Sequence, residues 1–158
     1  MKRDILKIII FCVISIILIF IDQLTKRIAV KYLFNKEPKV LIDGVLELVY
    51  TENQGAAFGI LQNKFIIFYV MTIIVLIVIL YMLYKIKFTS HNIPYFIVLI
   101  LIFSGAVGNF IDRITNKSVV DFIYFKPIDF PVFNFADILI TCGCIVLIIS
   151  TLTIYKKD

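Results

Sequence analysis

The sequence predicts an α-helical membrane protein with four transmembrane helices and a small extracytoplasmic β-structure between the first two helices. The 158 residues are 61% hydrophobic, and the mean hydropathy of +1.03 is well above that of soluble domains. Only 17% of the residues are charged, and these lie mostly between long apolar runs. A chain of this length fits one domain, so we expect residues 1–158 to form a single integral membrane domain.

Four apolar runs are each long enough to cross a bilayer core of about 30 Å as a helix. The first follows a cationic start with Lys2, Arg3 and Lys7. No small-residue cleavage motif follows this run, which favours a retained helix over a cleaved signal peptide. The fourth run carries Asp137 as its only charge. The spans are predicted at about residues 5–26, 65–84, 93–111 and 132–155.

The orientation of the spans depends on where the cationic residues lie. The two termini and the 85–92 loop hold seven Lys and Arg, which crowd against helix ends, whereas nine are spread over the two longer loops on the other side. Cationic residues close to helix ends have the most weight in keeping a loop inside the cell. We therefore expect both termini in the cytoplasm and the two longer loops outside.

The loop between the first two spans predicts a β-region at about residues 39–60. Residues 40–42 and 45–51 are rich in β-branched and apolar side chains, and Asp43-Gly44 between them favours a hairpin turn. Before the hairpin, residues 28–35 are expected to form a separate short helix on the membrane surface.

Composition argues against nucleic-acid, metal and thiol chemistry. The net charge is +5, but Lys and Arg are scattered and form no basic stripe with interleaved aromatics. Cys12, Cys142 and Cys144 lie in apolar runs without metal-ligand spacing, and the single histidine, His91, falls in a cytoplasmic loop. The serines therefore lack a histidine partner. We predict no metal, no cofactor and no nucleic-acid partner.

Acidic side chains at the ends of apolar segments are the candidates for chemistry, because an acid at membrane depth is costly. At 1.5 Å per residue, Asp112 and Asp137 each lie about 27–28 Å from the far end of their spans. Both are therefore expected near the same bilayer boundary, on antiparallel helices. Asn109 and Asn134 each precede one of these acids by three residues and share its helix face.

Asp121 lies in the loop that connects these two spans. Pro127 and Pro131 prevent a continuous helix there, so the loop can bring Asp121 close to Asp137. Two such carboxylates share one proton, and the ionised one can activate water while the protonated one donates to a carbonyl oxygen. Helix caps and interfacial ion pairs are the alternative role, and for Asp112 beside Arg113 this alternative is equally strong.

Two further polar groups have both a structural and a functional interpretation. Asp22 and Lys26 are four residues apart and can form a helical ion pair near the outer end of the first span. Asn53 and Gly55 lie in a stretch of mostly polar and small residues that follows the hairpin and extends to Gly59. This run is either a simple turn or a loop that faces a substrate.

Five motifs together resemble the signal peptidase II family of lipoprotein signal peptidases. They occur in the family's order and cover nearly the whole chain, so the combination is far more specific than any one motif. The motifs are Asp22-Gln-x-Thr-Lys26, Asn53-x-Gly-Ala-Ala-Phe-Gly59, Gly105-x-x-Gly-Asn-x-x-Asp-Arg113, Val120-Asp121-Phe122 and Phe133-Asn-x-Ala-Asp137.

The resemblance implies a bacterial inner-membrane aspartyl peptidase that cleaves signal peptides from prolipoproteins just before the diacylglyceryl-modified cysteine. It implies four helices, an extracytoplasmic β-cradle and inhibition by globomycin-type cyclic peptides. Asp121 and Asp137 correspond to the catalytic dyad. The residues implied to support the site or to bind substrate are Asp22, Lys26, Asn53, Gly55, Asn109, Asp112, Arg113, Asn134 and Ala136. Lipidated precursors and membrane lipid are the expected partners of a monomeric enzyme.

Two other classes of protein are alternatives. A small transporter could use the acids as proton relays, but such acids lie near the midplane of repeated halves, and no repeat is visible here. A structural membrane subunit would leave the paired Asn-x-x-Asp segments unexplained.

Overall fold

The computed structural model describes residues 2–55, 62 and 64–155. The helices and strands are α1 (Lys2–Leu33), β1 (Lys39–Ile42), β2 (Leu46–Asn53), α2 (Phe65–Lys85), α3 (Ile93–Asn116), β3 (Val119–Phe125) and α4 (Phe135–Tyr155). Residues 56–60 of the predicted β-region lie outside the described residues, as does the end of the chain from residue 156.

All four helices have the length and composition of membrane spans. Their outward faces are apolar, with Ile66 76% exposed and Ile77 62% exposed. Such extensive apolar surface belongs against lipid. The candidate spans are Arg3–Leu33, Phe65–Lys85, Ser90–Asn116 and Phe135–Thr153. The predicted fold class, four membrane helices with a small β-structure, is confirmed.

The first helix is longer than the predicted span of 5–26, and the separate surface helix expected at 28–35 is wrong. The chain continues as one α-helix to Leu33 because no Gly or Pro interrupts it. Ala29 and Leu33 are buried there against Val120 of the sheet. The helix ends just before Asn35, which takes a left-handed conformation with φ 53°.

The sheet has three antiparallel strands in the order β1-β2-β3. The β1–β2 hairpin turns through Asp43 and Gly44, whose φ of 68° suits glycine. The third strand was not predicted: Asp121 lies on β3 and not in an irregular loop. β3 pairs with β2 so that Asp121 lies opposite Thr51. Pairing with a distant strand therefore places this carboxylate.

α3 is the central helix and packs against the other three. Glycines allow its closest approaches: a Cβ on Gly105 would collide with the carbonyl oxygen of Ala136, and one on Gly108 with the carboxylate of Asp22. The main apolar cluster lies at the end of the bundle away from the sheet. Its buried members are Phe11, Ile79, Leu83, Phe96, Leu99 and Ile100.

Candidate active site

Asn134 and Asp137 cap the N-terminus of α4 reciprocally. The backbone N–H of Asn134 donates to Asp137 Oδ2 at 3.1 Å, and the N–H of Asp137 donates to Asn134 Oδ1 at 3.1 Å. This is a capping-box arrangement, which satisfies two donors at the helix end. It holds the Asp137 carboxylate at the positive end of the helix dipole, which favours negative charge there.

Asp22 on α1 provides a second cap for the same helix end. The N–H of Ala136 donates to Asp22 Oδ1 at 3.0 Å, and both side chains are completely buried. Asp22 Oδ2 accepts from Lys26 Nζ at 2.9 Å and from Gln23 Nε2 at 3.1 Å. The first helix thus fixes the turn of α4 that carries Asp137.

Asp121 is buried on β3, between two amide donors. Asn53 Nδ2 donates to its Oδ2 at 2.9 Å, and Asn134 Nδ2 donates to its Oδ1 at 2.6 Å. Burial, assisted by the charge of Asp137 and opposed by the two amide donors and Lys26, raises the pKa of Asp121 to about 6. A carboxyl with this pKa suits proton transfer near neutral pH.

Asn109 on α3 links the two carboxylates to the rest of the network. Its Nδ2 donates to Asp137 Oδ1 at 2.8 Å. Its Oδ1 accepts from Asn134 Nδ2 at 3.1 Å and from Lys26 Nζ at 2.9 Å. The two asparagines of the Asn-x-x-Asp segments therefore contact each other, and together they contact both Asp121 and Asp137.

Asp112 faces α1 and the start of β3. Its Oδ2 accepts from Lys26 Nζ at 3.0 Å and from the N–H of Val120 at 3.3 Å, while its Oδ1 accepts from Gln23 Nε2 at 2.9 Å. Its partner is therefore Lys26 and not the adjacent Arg113. These contacts favour a structural role for Asp112, because they tie α3 to α1 and to the strand that carries Asp121.

A cavity of about 590 Å³ opens beside the two aspartates. Arg113 lies in its wall, with the guanidinium 4.6 Å from the centre of the Phe68 ring and Nη2 donating to the carbonyl of Gly55 at 3.4 Å. Much of the remaining lining is apolar and includes Phe133 and Ile138. The cavity can thus place an apolar chain against a polar, acidic wall. Residues 56–59 of the predicted small-residue motif lie outside the described residues.

Sequence reasoning missed two contributors to this site. Gln23 bridges Asp22, Asp112 and the carbonyl of Gly108. Gln23 is the second residue of the first motif, and its position next to Asp22 could have indicated that it belongs to the site. Phe68 lines the cavity and contacts Arg113, but it lies in a charge-free span that gives no sign of a site.

Four helices with the length and composition of membrane spans, together with two aspartates in the wall of an open cavity, are typical of a polytopic membrane enzyme. Comparison with known proteins narrows this class. The family model described as signal peptidase (SPase) II matches residues 14–153. The chain therefore belongs to the signal peptidase II family and is a multi-pass bacterial membrane protease, which confirms the resemblance of the five motifs.

Individual relatives and solved structures agree with this assignment. A lipoprotein signal peptidase of Halalkalibacterium halodurans is 38% identical over 150 residues, covering 94% of this chain and 95% of that protein. One of Streptococcus pyogenes serotype M5 is 40% identical over 134 residues, covering 85% of this chain and 87% of that protein.

Two solved structures, described as bacterial membrane enzyme structures by the in meso method, have the same fold. The one at 2.3 Å resolution has a TM-score of 0.85 and 36% identity, and the match covers 94% of this chain and 90% of that one. The one at 1.9 Å resolution has a TM-score of 0.79 and 38% identity, and the match covers 90% of this chain and 92% of that one.

Proposed function

We propose that this protein is a lipoprotein signal peptidase in which Asp121 and Asp137 form an aspartyl dyad. The substrate is a prolipoprotein, cleaved just before its diacylglyceryl-modified cysteine. The observation that carries the proposal is the pair of carboxylates joined through Asn109 and Asn134 at the edge of the cavity. Membership of the signal peptidase II family supports the substrate class.

The two carboxylates have different surroundings, which suggests different roles. Asp121 has its pKa raised to about 6, chiefly by burial, and in this proposal it holds the shared proton. Asp137 accepts two hydrogen bonds at the positive end of α4, and in this proposal it is the ionised member of the dyad. Asp137 takes a proton from the attacking water while Asp121 donates to the scissile carbonyl oxygen. As the peptide bond breaks, Asp137 gives the proton that it took from water to the leaving amine, and Asp121 recovers its own proton as the carbonyl group re-forms.

The position of the site suits a substrate that is itself embedded in the membrane. Asp137 lies at the start of a helix with the length of a membrane span, so the dyad is at one edge of the bilayer. In the proposed orientation, with both termini cytoplasmic, this is the extracytoplasmic edge of the bacterial inner membrane. The apolar part of the cavity lies beside lipid, where the acyl chains of the substrate can remain. By the same family relationship, globomycin-type cyclic peptides would occupy this cavity in a monomeric enzyme.

The lipid requirement gives the direct test of the proposed substrate. Each acyl CH₂ buried in an apolar environment contributes about 0.8 kcal/mol. Purified protein should therefore cleave a diacylglyceryl-modified precursor much faster than the same precursor with an unmodified cysteine. A precursor with serine at the cleavage site serves as the matched control. Equal turnover of modified and unmodified precursors would overturn the proposed substrate class.

A further inference from the structure

Lys26 is a charged residue buried inside the membrane domain, with 3% of its surface exposed. Its ammonium group donates to Asp22 Oδ2 at 2.9 Å, to Asp112 Oδ2 at 3.0 Å and to Asn109 Oδ1 at 2.9 Å. A lysine has three N–H donors, so this geometry uses all of them. None of the hydrogen bonds found within the described residues joins Lys26 to Asp121 or Asp137.

The third of these bonds determines which way the Asn109 amide points. Its oxygen accepts from two donors, Lys26 and Asn134, so its nitrogen must face Asp137. A reversed amide would place NH₂ against two donors and its oxygen against a carboxylate. The orientation of an amide is assigned from such a network, and here the ammonium group is the strongest member of the network.

Asn134 carries the same constraint to Asp121. Its Nδ2 donates both to Asn109 Oδ1 and to Asp121 Oδ1, and its own Oδ1 is held by the N–H of Asp137. Each carboxylate thus accepts from an amide nitrogen whose direction depends on the Asn109 oxygen. That oxygen is in turn held by Lys26.

We propose that Lys26 is a positioning residue for the dyad, acting through the Asn109 amide to hold the carboxylates of Asp121 and Asp137 in reactive geometry. This inference rests on the proposed function, since it assigns a role within the same reaction. A positioning role differs from that of a plain helical ion pair between Lys26 and Asp22. Such an ion pair would stabilise the fold without affecting the chemical step.

The charge of Lys26 also acts on the proton held by Asp121. The charged groups around Asp121 are Lys26 on α1, Asp112 and Arg113 on α3 and Asp137 on α4; its β2 neighbour is the neutral Asn53. Lys26 lowers the pKa of Asp121. Removal of the cation should therefore raise that pKa, so the dyad keeps its proton to higher pH.

A double-mutant cycle tests the proposal. The variants are Lys26→Met, Asn109→Ala and the two combined, with Arg27→Met as the control because Arg27 is the exposed neighbour on the same helix. For folded protein of each variant, kcat and KM are measured on the lipidated precursor as a function of pH. If Lys26→Met alone does not fold, the combined variant Lys26→Met with Asp112→Asn replaces it. This variant removes the two opposite charges together, so no buried charge of this pair is left without its partner.

We expect Lys26→Met to lower kcat by about 10²-fold, as small misplacements of reacting groups do, with KM within about twofold. Asn109→Ala should lower kcat similarly, and the double variant should be little worse than either, because both remove the same link. The alkaline limb of kcat/KM should move to higher pH in Lys26→Met and stay in place in Arg27→Met.

Three results would overturn the positioning role: an unchanged kcat, losses that multiply in the double variant, or an alkaline limb that does not move. The proposed function fails separately. If the wild-type protein does not cleave the lipidated precursor, the substrate is wrong. If it does and Lys26→Met retains its kcat, only the role of Lys26 is lost.

Discussion

The two ends of the helix bundle are held together in different ways. At the sheet end, around Asp22, Asp112 and Asp121, buried polar side chains bond to one another and to the half-buried Asn53 and Asp137. At the opposite end, around Phe11 and Phe96, apolar side chains pack with tilted aromatic rings. Lys7 donating to the carbonyl of Ile86 at 2.9 Å is a polar link between helices there.

At the sheet end, the sequence specifies the positions of individual polar groups. At the opposite end, it specifies mainly the volume of apolar side chains. Packed apolar side chains tolerate exchange at similar volume. A polar network tolerates little, because each buried group left without a partner costs about 1–3 kcal/mol. We therefore expect substitutions at the sheet end to change turnover as well as stability, and substitutions at the opposite end to change stability alone. The following predictions test that division, from the largest expected effect to the smallest.

Of the changes that compare the two ends, Gly108→Ala should have the largest effect, because the added Cβ would collide with the carboxylate of Asp22. Displacement of Asp22 would free the start of α4, and misplaced reacting groups lower rates by about 10²-fold. Gly143→Ala is the matched control on α4, where the Cβ would approach Ile102 Cγ1 to 2.7 Å, so an apolar side chain must shift but no buried carboxylate is displaced. Turnover per folded molecule should fall far more in Gly108→Ala. Similar turnover in the two variants would break the division between the two ends.

Phe96→Ala at the opposite end should lower stability with little effect on turnover. Its ring lies 5.2 Å from that of Phe88 and 6.4 Å from that of Phe11, so its removal leaves a cavity. The loss should be on the order of 2 kcal/mol, below the value of about 3–5 kcal/mol for soluble cores. Lipid is as apolar as this core, so only packing is lost. Unfolding in detergent and turnover of the folded fraction are the two measurements.

The pH dependence of stability should show a smaller effect, centred on Asp121. Its pKa of about 6 lies above the value of about 3.9 for a free Asp carboxyl. The folded protein therefore holds the proton on Asp121 more tightly than the unfolded chain does. The stability gained from this protonated carboxyl is fully present below about pH 4 and is lost as pH rises through about 6. Between pH 4 and pH 7 the wild type should lose a few degrees of melting temperature relative to Asp121→Asn. Parallel melting curves for the two proteins would contradict the raised pKa.

Hydropathy alone predicted the four helices, because each predicted span has about the 20 residues that a helix needs to cross the bilayer core. It did not predict where they end. The prediction ended the first helix at about Lys26, yet a charge does not stop a helix that still has buried contacts, here through Ala29 and Leu33. The boundary is instead set by the left-handed Asn35.

Strand β3 could not be predicted because its signal is not local. Seven residues with an aspartate near the middle lack the alternation of a half-buried strand. They become a strand only by pairing with β2, which lies about 70 residues earlier in the chain. By contrast, the i, i+3 spacing of Asn134 and Asp137 did indicate that these side chains lie together, although as a reciprocal cap at the start of α4 and not along a helix face. The same spacing places Asn109 and Asp112 on α3. It did not show that Asn109 bonds to Asp137 and not to Asp112.

The most direct test of the account is turnover of a lipidated precursor by Asp121→Asn, Asp137→Asn, their double variant and Asp112→Asn. General acid–base groups contribute about 10²–10⁴-fold each, and groups that act as one unit are not additive. Each dyad variant should therefore lose most of its turnover per folded molecule, and the double variant should be little worse. Asp112→Asn should lower stability at least as much as turnover, because Asp112 bonds to Lys26 and to the N–H of Val120. Near-full turnover of Asp121→Asn, together with loss of turnover in Asp112→Asn, would show that the pair is Asp112 with Asp137.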